Sequence, residues 1–301
     1  MESSKNNLPV VAITGSSGLV GSKLTRYLRW QGHTVIPLVR KDPSGQSRLW
    51  NPEDPDPSIL RGVDTLIHLA GEPIFGRFSA EHKEAIRQSR VGPTRRLAEV
   101  AARTESVTTM VCASAVGFYG YARDGLVDEE SGRGGGFLAD VCAEWEDACQ
   151  PARDGGVRVV NVRTGLVLDR SGGLLKILGT LTRLGVNGPL AGGGQWFPWV
   201  GGDDLVRIYA EAVRNEDLRG PVNAVGPEKI TNKDFTKALG RVLHRPTVLP
   251  VPRLAPALLL GEQGARELAL ASQRVDHRAL RRCGFVFQHD TIRAALAHEL
   301  G

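Results

Sequence analysis

The sequence predicts an α/β protein with a doubly wound parallel sheet, in which helices cover both faces. Three observations predict this fold. Short apolar runs alternate with stretches of helical periodicity through about the first 165 residues, and a glycine-rich turn joins the first run to the first helical stretch. The chain of 301 residues is also long enough to bury a large core. We expect right-handed connections between the strands.

The first elements form a β-α-β unit. Residues 10–13 are an apolar run that predicts a buried strand, residues 19–30 have helical spacing that ends before Gly32, and residues 34–39 predict a second strand. Pro37 lies inside this second run and has no N–H to donate to a neighbouring strand. It therefore predicts a local distortion or a strand end.

The same alternation continues through the first half of the chain. Residues 42–58 are rich in proline and predict a surface excursion with at most a short helix. The further expected elements are strands at 63–70, 108–114 and 157–162, helices at 79–103 and 137–148, and a polar, glycine-rich loop at 123–136.

The C-terminal part has a different pattern. It predicts a glycine- and tryptophan-rich loop at 185–202, a helix at 204–215, a strand at 221–225 and two final helical stretches. Thr231 and Asp234 have the spacing of a helix capping box. We therefore expect two units, residues 1–165 and residues 166–301, the second mainly a smaller substrate or lid region of which part can return to the main sheet.

Composition excludes several classes of protein. The formal charge is +5, but basic and acidic residues are interspersed, so we expect no nucleic-acid partner. No apolar run approaches the length of a membrane span, and the four cysteines lack C-x-x-C spacing. These features predict a cytoplasmic protein with free thiols. Its expected partner is an unknown small-molecule substrate, and its expected state is a monomer or homodimer.

The glycine turn carries the clearest chemistry. Its residues are Gly15, Ser16, Ser17, Gly18, Leu19, Val20 and Gly21, placed between a strand and a helix. Glycines at this spacing allow a tight turn and a close backbone approach to a pyrophosphate, which the N–H groups at the helix start can bind. Residues 1–165 are therefore predicted to be a Rossmann domain that binds a dinucleotide.

The end of the second strand bears on the choice of dinucleotide. Many such folds place an acid here, on the ribose hydroxyls, whereas this chain has Arg40 followed by Lys41. A guanidinium can hold a 2′-phosphate through paired, charge-assisted hydrogen bonds, which favours NADP(H). Asp42 leaves NAD(H) as the alternative.

Further candidates lie where strands end. Leu69, Ala70 and Gly71 can pack against adenine and ribose, or they form an ordinary strand-end turn. Ser114 at the end of the next strand and Tyr119 after it could orient a substrate oxygen, although their spacing alone favours a structural turn. Gln195, Trp196 and Trp199 suit a loop that folds over a flat ligand, and equally a structural plug. His68 is expected to be a core histidine, and no metal site is predicted.

Together these motifs resemble the extended short-chain dehydrogenase/reductase superfamily, and within it the atypical "epimerase family" branch of bacteria and animals. The resemblance covers nearly the whole chain. It rests on the glycine turn and on the segments at 69–74, 86–91, 114–120, 163–165, 188–190, 195–199 and 221–224. It implies NADP(H) contacts at Val39, Arg40, Leu69, Ala70, Glu84, Arg90 and Val167.

One departure from the superfamily pattern concerns catalysis. Typical members carry Tyr-x-x-x-Lys on the helix after the serine strand, where lysine lowers the pKa of the tyrosine phenol. An alignment on Trp145 and Glu146 puts Leu138 and Cys142 at those positions. Ser114 then takes the place of the usual serine, whereas an alignment on Tyr119 and Gly120 would place Ala115 there.

Two functional hypotheses follow. The first is an NADP(H)-dependent oxidoreductase or epimerase that acts on a small or nucleotide-linked substrate, with Ser114, Tyr119 or water in place of the missing pair. The second is a catalytically weak NADP(H)-sensing regulatory protein.

Overall fold

The computed structural model describes residues 8–301. The strands are β1 Val11–Thr14, β2 Val35–Val39, β3 Arg48–Leu49, β4 Thr65–His68, β5 Thr109–Ala115, β6 Ala122–Val127, β7 Arg158–Thr164, β8 Leu166–Leu168, β9 Trp199–Gly201, β10 Gly220–Ala224 and β11 Ser272–Val275. The helices are α1 Leu19–Trp30, α2 Ala80–Gln88, α3 Val91–Arg103, α4 Phe137–Asp147, α5 Gln150–Asp154, α6 Gly173–Arg183, α7 Gly202–Arg214, α8 Asn232–Val242, α9 Leu254–Gly264, α10 Arg278–Arg282 and α11 Ile292–Leu300. Short 3₁₀ helices at Pro57–Leu60 and Val116–Tyr119 and a π-helical turn at Ala265–Ala269 complete the elements.

Seven strands form one sheet in the order β10-β7-β5-β4-β1-β2-β3, and every pair in it is parallel. The predicted fold class is confirmed. Apolar residues of α1 and α7 cover one face of the sheet, and those of α3 and α4 cover the other. Buried strands with both faces covered explain the continuous apolar runs of the sequence.

The strand register brings four strand ends into one row. Thr14 of β1 pairs with Leu38 of β2 on one side and with His68 of β4 on the other, and His68 pairs with Cys112 of β5. The segments that follow these residues therefore leave the same carboxyl edge of the sheet. That edge is where open α/β sheets bind their ligands.

Pro37 lies within β2, paired with Ile13, rather than at a strand end. The carbonyl oxygen of Val39 accepts a hydrogen bond from the N–H of Trp50 on the β3 side. Because strand residues two apart point the same way, the missing N–H of Pro37 also faces that side, where β3 pairs only with Leu38 and Val39. Proline is tolerated because no neighbour needs its donor.

Two expected segments differ from the structure. The helical stretch expected at 79–103 is two helices, α2 and α3, which meet at Ser89 and Arg90. The loop expected at 123–136 contains most of β6, which pairs in parallel with β11. Most side chains of β6 are solvent-exposed, so the strand has no apolar alternation, and its partner lies about 150 residues further along the chain.

The C-terminal part contributes both to the main sheet and to a separate cluster. Residues 220–224 return to the sheet as its edge strand β10. Apolar side chains of α6, α8 and α11 pack instead around Phe197 and Trp199. Thr231 and Asp234 form the predicted capping box at the start of α8.

The four cysteines are free thiols, as the spacing predicted. Among residues 8–301, no helix is both long and apolar enough to cross a lipid bilayer.

A histidine clamp joins the ends of β1 and β4. The Thr14 hydroxyl accepts hydrogen bonds from the N–H groups of Leu69 and Ala70, at 3.2 and 3.3 Å, and therefore donates its own proton to Nδ1 of His68, 2.7 Å away. His68 is fully buried, and its Nε2 has no partner among residues 8–301. Burial, aided by the nearby charge of Arg90, lowers the pKa of His68 to about 4.

This clamp predicts an acid-sensitive fold. Below its ordinary pKa of 6.5 His68 binds a proton in the unfolded chain but not in the native one, so its contribution to stability is lost as pH falls from about 6.5 towards about 4. We expect that loss to amount to about 3 kcal/mol. Urea unfolding at neutral pH and near pH 4.5 should show a smaller pH-dependent loss for His68→Gln than for the wild type.

The exposed His244 provides the control, since its backbone has a φ of 52° that asparagine also adopts. His244→Asn should keep the wild-type pH dependence. Equal acid sensitivity of wild type and His68→Gln would contradict the clamp.

Candidate functional site

Glycine is required in the first turn because backbone segments approach too closely for a side chain. A Cβ on Gly21 would stand 2.1 Å from the carbonyl oxygen of Gly15. A Cβ on Gly15, whose φ is +68°, would stand 2.9 Å from the backbone nitrogen of Ala70. The turn therefore lies directly against the 69–70 segment and forms a backbone cradle, as the glycine spacing predicted.

The start of α1 completes this cradle. Gly18 is the N-cap residue, and it provides no side chain to accept from the N–H groups of the first turn. The first turn also contains no acidic residue. These N–H groups, the positive end of the helix dipole and the bare backbone together fit an anionic pyrophosphate.

Val39 and Arg40 follow β2 on one side of the cradle. Because Leu38 pairs with Thr14, these two residues lie beside Gly15 at the edge of the sheet. Arg40 is exposed, and its guanidinium has no hydrogen-bond or ion-pair partner within residues 8–301. Its donors are thus available to a ligand.

Arg90 lies on the other side of the cradle, beneath the 70–72 turn. It is buried, donates hydrogen bonds to the carbonyl oxygens of Glu72 at 2.8 Å and Ile86 at 3.1 Å, and stacks 5.1 Å from the centre of the Trp145 ring. Its guanidinium lies 3.1 Å from the position of a Cβ on Gly71. Arg90 therefore supports this turn from below, and its predicted cofactor contact remains a prediction.

The other residues implied by the resemblance lie in two places. Val167 in β8, like Val20 and Leu69, is partly buried and packs against the core cluster on the α1 and α7 side of the sheet. Glu84 is exposed on α2, and no ion pair joins it to Arg90, the intrahelical alternative for these two residues. The cofactor contacts of Val167 and Glu84 both remain predictions.

Ser114 and Tyr119 belong to a buried hydrogen-bond network centred on an ion pair. Arg163 donates from Nε and Nη2 to the two carboxylate oxygens of Glu146, both at 2.8 Å. Ser114 donates to Glu146 Oε1 at 2.6 Å, and Arg163 Nη1 donates to the phenol oxygen of Tyr119 at 2.9 Å. Both hydroxyls therefore already have protein partners.

The network continues to the edge strand. The Tyr119 phenol donates to Asn223 of β10 at 2.8 Å, and Asn223 donates in turn to the carbonyl oxygen of Asp276. Tyr119 is fully buried, and burial raises its pKa despite the adjacent Arg163. A phenol in this position stays protonated and holds β5, β7 and β10 together. The catalytic assignment of Ser114 and Tyr119 is therefore still a prediction.

Sequence reasoning did not assign roles to Glu146, Arg163 and Asn223. Arg163 and Asn223 lie in the segments 163–165 and 221–224, which are part of the resemblance, and this was the signal in the sequence that could have pointed to them. Their pairing with Ser114 and Tyr119 depends on the order of strands in the sheet.

Leu138 and Cys142 are the residues that the alignment on Trp145 and Glu146 puts at the Tyr-Lys positions. Both are buried on α4, and atoms of both lie 3.7 Å from the position of a Cβ on Gly117. Burial raises the pKa of the Cys142 thiol to about 12, so it remains protonated at neutral pH. Neither side chain can act as a general acid or base there.

The three residues predicted at the substrate lie in different surroundings. Trp199 is 1% exposed, donates from its indole to the carbonyl oxygen of Glu228 and belongs to the C-terminal core, so its position does not support a substrate contact. Gln195 donates to the carbonyl oxygen of Leu190. Trp196 is half-buried beside a cleft, with the guanidinium of Arg274 4.8 Å from its ring centre.

Asp203, His298 and Glu299 lie close together beside α1, a grouping that the sequence did not indicate. The ammonium group of Lys23 lies 2.6 Å from a carboxylate oxygen of Asp169 and 3.4 Å from a carboxylate oxygen of Asp203. An ion pair therefore joins α1 to α7, and a hydrogen bond of 2.8 Å joins Asp203 of α7 to His298 of α11.

Comparison with known proteins shows which family the chain belongs to. A family model described as "NAD dependent epimerase/dehydratase family" matches residues 11–226, and a domain of unknown function, DUF1731, matches residues 251–299. An epimerase family protein of Mycobacterium bovis is 44% identical over 293 residues, which cover 96% of this chain and 97% of that protein. The epimerase family protein SDR39U1 of Bos taurus is 32% identical, and the alignment covers 95% of this chain and 98% of that protein.

Solved structures agree with this assignment. The human epimerase family protein SDR39U1, whose crystal structure contains NADPH, superposes with a TM-score of 0.88 at 29% identity and covers 96% of this chain and 98% of that one. A nucleoside-diphosphate sugar epimerase from Corynebacterium glutamicum superposes with a TM-score of 0.84 at 46% identity. The alignment covers 98% of this chain but 58% of that longer chain.

The extent of these matches confirms the resemblance. The chain belongs to the NAD-dependent epimerase/dehydratase family, as an extended short-chain dehydrogenase/reductase-like protein that binds a nicotinamide dinucleotide.

Proposed function

We propose that the cofactor is NADP(H) and that the protein uses it as an oxidoreductase or isomerase on a small or nucleotide-linked substrate. The observation that carries this proposal is the exposed guanidinium of Arg40 beside the glycine cradle, which has no hydrogen-bond or ion-pair partner within residues 8–301. A guanidinium fits the 2′-phosphate that distinguishes NADP(H) from NAD(H). The human relative that was crystallised with NADPH supports the same choice.

Residues of the chain would hold the cofactor as follows. The N–H groups at the start of α1 would bind the pyrophosphate, Arg40 the 2′-phosphate, and the 69–71 segment the adenosine ribose or adenine. When bound, a nicotinamide supplies a site for hydride donation and acceptance. Ser114 lies at the carboxyl end of β5, two residues beyond the row of paired strand ends.

Proton transfer differs from that of typical relatives. Leu138 and Cys142 offer no acid or base, and the hydroxyl proton of Ser114 is directed to Glu146. A substrate oxygen could still donate a hydrogen bond to Ser114 Oγ, which would orient it without changing its protonation state. In the reaction we propose, water or a group of the substrate itself would therefore act as the proton donor and acceptor.

A second candidate function is cofactor sensing with little or no chemistry. The observation that favours it is the same burial of Leu138, Cys142 and Tyr119. The cytoplasm is the proposed location for either function.

Removal of the Arg40 guanidinium should change the choice of cofactor. We expect Arg40→Ala to weaken NADPH binding about 10- to 100-fold, because charge-assisted hydrogen bonds to the 2′-phosphate are lost, and to leave NADH binding nearly unchanged. Isothermal titration calorimetry with both cofactors measures this. Arg103→Ala is the matched control, since Arg103 is an exposed arginine in the last turn of α3, before the amino end of β5. Unaltered NADPH preference in Arg40→Ala would refute the assignment.

A methyl group in the cradle should abolish cofactor binding. We expect Gly21→Ala to bind neither NADPH nor NADH measurably, because its Cβ would overlap the Gly15 carbonyl oxygen and displace the turn. Gly132→Ala is the control, as a Cβ there meets no atom within 4 Å. Thermal unfolding of both variants separates loss of the cradle from loss of the fold. Wild-type affinity in a folded Gly21→Ala would contradict the cradle.

A label-transfer experiment distinguishes the two functions. In one arm, the protein is incubated with NADPH deuterated at the nicotinamide C4 and small carbonyl compounds, and deuterium in the alcohol product is expected for an oxidoreductase. In the other arm, it is incubated with NADP⁺ and sugar nucleotides, and a stereoisomer formed without net change of the cofactor is expected for an isomerase, since the hydride is taken from the substrate and returned to it. Tight cofactor binding without a product in either arm would contradict turnover of these substrate classes and favour cofactor sensing.

A further inference from the structure

A shallow surface cleft, with an enclosed volume of about 10 Å³, lies where β10 ends. Val225 and Gly226, which follow β10, line it, so it opens on the same carboxyl edge of the sheet as the cofactor cradle. Gln273 beside it donates to the carbonyl oxygen of Gly120, which connects the cleft to the turn after Ser114. Its walls carry Trp196, Pro198, Lys229 and Arg274.

Lys229 has more donors than the protein accepts. Its ammonium group has three N–H donors, and the described residues accept two of them: the carbonyl oxygen of Gly226 at 3.1 Å and Nδ1 of His277 at 3.3 Å. No carboxylate of residues 8–301 lies within ion-pair distance of it. One donor and the full positive charge are therefore left to a ligand in the cleft.

Arg274 is a second cation without an anion. Its guanidinium lies 4.8 Å from the centre of the Trp196 ring, and in residues 8–301 it has neither a hydrogen-bond acceptor nor an ion-pair partner. Stacking on an aromatic ring fixes the plane of a guanidinium and leaves the N–H groups at its edge free for a planar or tetrahedral anion.

The acids nearest to these cations have other partners. Glu228 lines the cleft, but its carboxylate accepts from the N–H of Ile292 at the start of α11. Asp276 forms a two-point pair with Arg281. The cleft thus holds two positive charges that no carboxylate of residues 8–301 neutralises by contact.

We propose that Lys229 and Arg274 form an anion-binding subsite for a phosphate or carboxylate group of the substrate. That the anion belongs to a substrate rests on the proposed function, whereas the anion-binding subsite itself follows from the two cations. A substrate with an anionic group would be anchored here by charge-assisted hydrogen bonds, with the remainder of the molecule directed along the sheet edge towards the cofactor.

Burial supports the need for an anion. It lowers the pKa of Lys229 to about 8, and an anion in the cleft would raise this pKa again. His277, which faces Lys229, has a pKa lowered to about 4 by burial and by Lys229 itself, so it is neutral at pH 7. The other charged groups that act on Lys229 are Asp276, Arg281, Arg274 and Glu129.

The test measures anion binding directly, with inorganic pyrophosphate and malonate as probes. The protein is first saturated with NADP⁺, so that the glycine cradle is filled, and each probe is titrated by calorimetry at pH 7. We expect Lys229→Gln and Arg274→Gln each to weaken binding of the preferred probe about tenfold. Lys237→Gln, on the exposed face of α8, should bind like the wild type.

The two probes distinguish the source of the anion. Tighter binding of pyrophosphate would identify a phosphate-bearing substrate, and tighter binding of malonate a carboxylate-bearing one. A pH series adds an independent readout, since the ratio of wild-type to Lys229→Gln affinity should fall towards one between pH 7 and pH 9 as Lys229 loses its proton. Taking the ratio cancels the titration of the probe itself.

The subsite is overturned if neither probe binds at millimolar concentration, or if binding persists unchanged in the double variant Lys229→Gln/Arg274→Gln. Failure of the proposed cofactor assignment has a different outcome. In that case NADP⁺ does not bind, while the probe affinities of the unsaturated protein still respond to Lys229→Gln and Arg274→Gln.

Discussion

The cofactor cradle at the carboxyl edge of the sheet depends on one constraint. This constraint is the contact between the backbone of Gly15 and the backbone of the 69–70 segment. No side chain fits between them, since a Cβ on Gly15 or Gly21 would overlap neighbouring backbone atoms. The Thr14 hydroxyl holds the same two segments together by accepting from Leu69 and Ala70. This contact sets where α1 begins, and therefore where its free N–H groups point.

A second buried centre lies at the carboxyl ends of β5, β7 and β10. The Arg163–Glu146 ion pair binds Ser114, Tyr119 and, through Tyr119, Asn223. Buried ion pairs are costly unless their remaining donors and acceptors are satisfied. Here Ser114 donates to the carboxylate of Glu146, and the phenol oxygen of Tyr119 accepts from the guanidinium of Arg163. The network thus stabilises the carboxyl edge of β5, β7 and β10, while Leu138 and Cys142 provide an apolar wall. The glycine cradle is therefore present in a chain that has no Tyr-x-x-x-Lys sequence.

Much of the fold could be predicted because its signals are local. The helix Leu19–Trp30 was predicted with its observed limits, since periodicity, glycine turn and Gly32 all agree along one stretch of chain. The strand β6 was missed because both of its faces are largely exposed and it pairs with β11, far along the chain. The break between α2 and α3 was missed because Arg90, a good helix former, turns inward to bind the carbonyl oxygen of Glu72.

The sequence by itself determined the parallel fold, the dinucleotide site and the absence of a Tyr-Lys pair, because each depends on residues that are neighbours along the chain. Only the tertiary structure decided that Tyr119 and Trp199 are enclosed, that Glu146 binds Ser114, and that Lys229 shares a cleft with Arg274. These facts depend on the order of strands in the sheet and on segments that meet across 30 to 100 residues. Hydrogen bonds and burial at such separations leave no periodic trace in the sequence.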